Sequence, residues 1–271
     1  MEERNAVYVY AVARPFPRHR LGDARGVGGY PVYLVAQQNL AAAVSPIPVN
    51  SYDERGFRVH LGDIEWLEAA ARAHHRVVDE ISQNSAVIPL RMASVYNGEE
   101  QVRALLRDEG GAFESVLRRL SGRVEWGVKV LTRPPTAPGG ATQRARRTPG
   151  RTYRDERRPP PESAEDRWRD AAALARRVDD LVGGLAEARE DHRPLLTRRT
   201  GTGGETAMHA SYLVPADRTP QLVRIAERLR ASAPRGTRIV VSGPWAPYSF
   251  AMTALGTADT RHMCPAATVR L

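Results

Sequence analysis

The sequence predicts an α+β chain of two domains, the first a mixed sheet with helices and the second a ferredoxin-like β-α-β-α-β unit. Three observations predict it. Hydrophobic spacing switches between two residues and three to four residues along the chain, as it does when strands give way to helices. The length of 271 residues exceeds the usual size of one compact domain, and 42% hydrophobic residues suffice for real cores. A stretch rich in Pro, Gly and Arg interrupts the second block and cannot bury enough apolar surface to fold. The reading is a first domain over residues 1–122 and a second over 123–252 carrying a disordered basic loop at 134–162. A tail covers 253–271.

Residues 6–13, 30–36 and 40–45 alternate as strands of one antiparallel sheet, with Gly26, Gly28 and Gly29 marking the turn before the second. From residue 61 the period changes. Ile64, Leu67, Ala71, His74, Val78 and Ile81 form the stripe of a helix with one buried face, with Asp63 as N-cap and Glu65 in the first turn. Residues 86–92 read as a buried strand that Pro89 demotes to an edge or a bulge. Asn97 and Glu100 have capping-box spacing for a helix to Asp108, closed by Gly110, and a second helix runs from about residue 112 to Leu120.

The second block opens with a strand at 124–131. After the basic loop come a helix at about 163–188, a strand at 207–214, a helix at 220–231 and a strand at 237–242, with room for one more short strand. The tail shows no clear period, and a short helix, a strand or disorder is expected there.

The net charge of +9 invites a nucleic-acid reading, but its location weakens it. Between residues 137 and 161, seven arginines stand against Asp155 and Glu156, so more than half the imbalance sits in one linker. Lys129 is the only lysine among 40 basic residues, which is the mark of codon usage rather than of selection for phosphate contact. A basic nucleic-acid-binding protein acting through that Arg-rich linker is the alternative function. The opening MEERNAVYVYAVARPFP breaks its apolar run at Arg14 and Pro15, so no signal peptide is expected. No apolar run is long enough to span a bilayer, and the single Cys264 forms no internal disulfide, so a cytoplasmic protein without membrane contact is expected.

Candidate chemistry is sparse. His74 and His75 lack a metal-protease spacing, and His74 reads as a core residue with His75 on the shoulder. GTGGET at 201–206 precedes a strand rather than a helix and lacks the Gly-Lys-Ser/Thr ending of a phosphate loop. Ser242 lies in SGPW, not in a nucleophile elbow. Glu125 and Lys129 share a strand face with Gly127, which reads as a solvated face. The two short helices about Gly110 imitate a helix-turn-helix, but Ala112-Phe113-Glu114 offers no base-reading side chain.

Several stretches nevertheless read as one family. LGDIEWLEAAARAHHRVVDEI, AVIPLRMASVY and EEQVRALL, followed by VEWGVKVL, HASYLVP and above all VVSGPWAPYSF, resemble the F/L gas vesicle proteins in order and spacing. Met92-Ala93-Ser94 departs from that family's aromatic-glycine-threonine stretch, and His75 stands where an acidic residue is common. The resemblance implies a non-enzymatic accessory role in gas vesicle assembly or nucleation, in the cytoplasm and associated with the vesicles. It implies binding to the small, very hydrophobic shell protein and to other accessory proteins. No catalytic residue, metal, cofactor or small-molecule substrate is implied, and nucleic acid is not an expected partner. A shell subunit with large apolar faces aggregates unless a soluble binder covers them, which gives such a protein its use.

For contact residues the sequence points to residues 243–250. Trp245, Tyr248 and Phe250 are of the types that dominate interface energy, and the prolines, Pro247 included, stiffen the backbone. The competing reading is a rigid chain reversal whose aromatics plug a groove between the domains. Arg91 is expected either in the partner surface or paired with Glu125.

Overall fold

The computed structural model describes residues 6–48, 63–132, 163–192 and 205–256. The basic loop 134–162, residues 201–204, Cys264 and the tail beyond 256 lie outside the described residues. The chain has a mixed α and β fold with two sheets and flanking helices. It divides into two compact units. The first holds the described residues of Met1–Glu125, Leu213–Ala216 and Gly243–Leu271, and the second those of Trp126–Tyr212 and Asp217–Ser242.

In the first unit, β1 (Ala6–Ala13), β2 (Tyr33–Gln37), β3 (Leu40–Ile47), β4 (Val87–Pro89) and β5 (Val95–Tyr96) form one sheet ordered β2-β3-β1-β4, with β5 also on β1. Every pairing is antiparallel, and Val12 faces Ala42 on one side and Ile88 on the other. All eight residues of this central strand are buried. Pro89 ends the short β4 at the sheet margin, where its missing amide costs no ladder bond. The turn before β2 is a short 3-10 segment, Val27–Gly29, in which Gly28 and Gly29 take φ of 67° and 77°, accessible at little cost only to glycine.

Helix α1 (Ile64–Ser82) starts at Asp63, whose Oδ1 accepts from the Trp66 amide at 3.0 Å. Its buried face is Ala70, His74, Val77, Val78 and Ile81. Ile64, expected on that stripe, is 71% exposed, because the core covers only the later turns. Helices α2 (Glu99–Asp108) and α3 (Gly110–Leu120) depart from the expected caps. Gly98, not Asn97, caps α2, since the approach needs φ 85°, and the Asn97 amide donates instead to Gln101 Oε1 at 2.9 Å. Gly110 opens α3 rather than closing α2; the single residue between them, Glu109 at φ −97° and ψ 9°, makes the break.

The second sheet contains β6 (Arg123–Thr132), β7 (Ala188–Asp191), β8 (Thr206–Pro215) and β9 (Thr237–Trp245), ordered β7-β8-β6-β9. Helix α4 (Ala164–Gly183) follows β6, and α5 (Thr219–Ala231) follows β8. A reciprocal capping box starts α4: the Ser163 hydroxyl oxygen accepts from the Asp166 amide at 3.0 Å while the Asp166 carboxylate reaches back to the Ser163 amide. This helix ends at Gly183, five residues before the expected end, because residues 188–191 form the extra short strand. Buried Leu174, Val178 and Val182 of α4 and Leu222, Ala226 and Leu229 of α5 pack in a unit whose strands bury Val128, Val130, Ala210 and Tyr212.

Candidate functional site

The residues of the aromatic-rich stretch at 243–250 separate into two populations. Pro244 and Trp245 are exposed, Trp245 at 47%, while Ala246 and Pro247 are buried. Chain direction then changes, and α6 (Tyr248–Gly256) begins. Phe250 is 1% exposed and serves the core, and Tyr248 is half-buried. Arg91 is exposed on the turn after β4.

The expected Arg91–Glu125 ion pair is not formed. Glu125, buried near the start of β6, instead accepts from the Ser249 amide at 2.8 Å and the Ser249 hydroxyl at 2.6 Å. A carboxylate there meets both the unpaired amides of a first helical turn and the positive end of the helix dipole, so α6 outcompetes a solvated guanidinium.

Trp245 forms one wall of a cavity of about 500 Å³ in the first unit. Its apolar lining includes Val87, Leu120, Val124, Pro244 and Pro247, and Asp79, Gln83 and Arg123 supply polar groups. Burial pushes the Asp79 carboxyl up, against the opposing pull of His75.

Close behind lies a ring cluster. The Tyr8 and Tyr10 centroids are 4.7 Å apart, His74 lies 5.8 and 5.5 Å from them, and Tyr248 stacks edge-on to His75 at 5.0 Å. Tyr8 Oη is 3.0 Å from His74 Nδ1 and accepts from the Ala93 amide at 3.0 Å. Burial first, and then the neighbouring His75, lower the His74 pKa to about 4, with the Leu90 backbone opposing. Burial likewise raises the Tyr248 hydroxyl, and Asp79 adds to it. His74 is thus a neutral core residue, as its place on the helical stripe suggested.

The second unit holds another cavity, about 480 Å³, between α4 and the β7–β8 edge. Arg189 bridges Asp179 at 2.9 Å and Asp191 at 2.6 Å, and the Tyr212 hydroxyl donates to Asp179 at 3.0 Å. His192 Nε2 and Ser211 Oγ are 2.7 Å apart, and the His192 and His209 rings are tilted at 4.5 Å. Desolvation, then Lys129 and His192, lower His209 to about 4. Sequence reasoning missed this pair, because residues seventeen positions apart give no periodic signal. The ionic groups here satisfy one another, and among the described residues no group of three His, Cys, Asp or Glu is arranged to hold a metal ion. No helix of the described residues is long and apolar enough to cross a membrane.

The comparisons with known proteins agree with one another. A family model described as gas vesicle synthesis protein GvpL/GvpF matches residues 6–252. Gas vesicle protein L of Streptomyces sp. (strain CB03234) is 40% identical over 251 residues, which are 90% of this chain and 92% of that protein. Gas vesicle protein F of the same strain is 27% identical over 261 residues, covering 90% and 99%. The crystal structure of GvpF from Anabaena sp. PCC7120 superposes with a TM-score of 0.64 at 17% identity, over 91% of this chain and 96% of that one. GvpF from Microcystis aeruginosa gives 0.63 over 91% and 98%. At that identity, the two structures speak for the fold alone.

Proposed function

The chain belongs to the GvpL/GvpF family of gas vesicle synthesis proteins, and on that premise we propose that it acts without catalysis in gas vesicle assembly or nucleation. In this reading it binds the small hydrophobic shell protein, and other accessory proteins, in the cytoplasm. Identity of 40% to a protein L against 27% to a protein F of one strain favours a role nearer the L relative. The order β7-β8-β6-β9, with a helix after the first and third strands in sequence, supports reading residues 123–252 as a ferredoxin-like domain following a domain at 1–122.

One observation carries the docking site: a 47% exposed Trp245 on the wall of a cavity of about 500 Å³ lined by apolar residues with a few polar groups among them. An exposed indole beside a concave apolar surface suits an aliphatic or aromatic side chain from a hydrophobic partner. Trp245 and Pro247 line that cavity, Tyr248 and Phe250 follow on α6, and exposed Arg91 completes the proposed contact set. Covering half an indole of about 250 Å² at about 25 cal/mol/Å² contributes about 3 kcal/mol, roughly a hundredfold in affinity.

The test is co-purification of the tagged chain with the shell protein at about 0.1 M and about 1 M salt, between which the Debye length falls from about 10 to about 3 Å. Recovery at both salts, lost on Trp245→Ala, is the expected result. Recovery of nucleic acid alone, released at high salt, refutes the reading in favour of the basic linker.

A further inference from the structure

The four-stranded sheet order leaves β7 and β9 as its two edges among the described residues. An edge strand presents a row of unpaired amides and carbonyls and is a template for another strand. The two edges differ in charge. At the β7 edge Glu190 and Asp191, with Asp179 of α4 held on Arg189, stand against that one arginine, an excess of two negative charges. Residues 224–238 carry five arginines, at 224, 228, 230, 235 and 238, of which Arg235 and Arg238 lie at the β9 edge with no acidic residue in 232–242, an excess of two positive charges there.

Two of these arginines donate to backbone carbonyls. Arg228 Nε donates to the Arg224 carbonyl at 3.3 Å, and Arg230 Nη2 to the Val241 carbonyl of β9 at 3.4 Å. Among the described residues, none of the five meets a carboxylate. Arg235 and Arg238 are exposed at the start of β9, as Arg189 and Asp191 are on β7.

We propose that copies of this chain associate head to tail, the basic β9 edge of one pairing with the acidic β7 edge of the next. Equal and opposite charge at the two ends of one sheet is what selects a second copy. Like-edge dimers set two positive against two positive charges, or two negative against two negative, and are disfavoured. The complementary contact is heterologous, so it does not close as a dimer and grows as a chain or a ring. Backbone pairing supplies the affinity, and the charges set orientation and partner.

Sedimentation velocity of the full chain tests this. At about 0.1 M salt the mean mass is expected to rise with concentration through dimer and beyond, with the apparent Kd at least tenfold weaker at about 1 M salt. Two variants make the test specific: Arg235→Glu with Arg238→Glu, and Glu190→Arg with Asp191→Arg. Each alone carries like charge on both edges and is expected to stay monomeric, whereas their equimolar mixture, with complementary edges again, is expected to reassociate. Reassociation also shows that both variants are folded. A wild-type chain that stays monomeric at every concentration, assembly indifferent to salt, or a mixture that behaves as the sum of its parts overturns the proposal.

Discussion

Gly26 is the position at which a single methyl group is expected to cost most. Its backbone, at φ −88° and ψ −158°, is open to any residue, so torsional strain contributes nothing. Contact decides the outcome. A Cβ built there falls 1.9 Å from Tyr10 Oη, 2.6 Å from Tyr10 Cζ and 2.7 Å from Ser45 Oγ. Tyr10 is fully buried in the central strand and has no room to retreat, and its hydroxyl donates to Ser45 Oγ at 3.0 Å and accepts from the Val27 amide at 2.8 Å. Overpacking costs about 1–3 kcal/mol, and losing buried hydrogen bonds costs about 1–3 kcal/mol more. Gly26→Ala is therefore expected to destabilise the chain by about 3–5 kcal/mol, a large part of a typical total. Urea unfolding followed by circular dichroism in the tyrosine region and the far ultraviolet reads this directly. Tyr10→Phe removes the nearest atom, so the double variant is expected to be clearly less destabilised than the sum of the singles. A Gly26→Ala change within about 0.5 kcal/mol of wild type, or strict additivity, refutes the reasoning.

Four further outcomes are expected. His74 has a folded pKa of about 4 against an ordinary 6.5, so its contribution is complete above pH 6.5 and is lost as pH falls toward 4; at 1.36 kcal/mol per unit this amounts to about 3 kcal/mol. The difference in unfolding free energy between wild type and His74→Gln, measured across that range, is expected to shrink by this amount. Glu125→Gln keeps one acceptor but loses the charge at the start of α6, at an expected cost of about 1–2 kcal/mol in urea denaturation. Trp245→Ala is expected to cost up to about 3 kcal/mol of stability, from the half of the indole already buried, leaving the chain folded while weakening shell-protein recovery. Deleting residues 137–161 is expected to leave that recovery intact, as judged by pull-down from the same lysate.

Local grammar was readable in the sequence wherever one residue's chemistry decided the matter. Asp63 caps α1, His74 lies on its buried stripe, and Pro89 marks a sheet margin, because capping, periodicity and a missing amide act within a few positions. Asn97 misled because the torsion angle of its neighbour Gly98, not side-chain spacing, sets the start of α2. The candidate site was half legible. Composition identifies Trp245 and Phe250 as interface-type residues, yet only the fold assigns the first to solvent and the second to the core. Glu125 and Ser249, 124 positions apart, leave no trace of their bond in either local sequence, so pairing by charge type led to Arg91 instead.

The bond between those two residues also bears on how the chain is made. The first unit needs Ala246, Phe250, Ala251 and Leu255, all at most 4% exposed, although more than a hundred residues of the second unit are translated before them. The nascent first sheet therefore waits on the ribosome with part of its covering still unsynthesised, and a chain released early near residue 240 carries an unfinished core. Such a product lacks the buried side chains of α6 that the first unit packs against its own core.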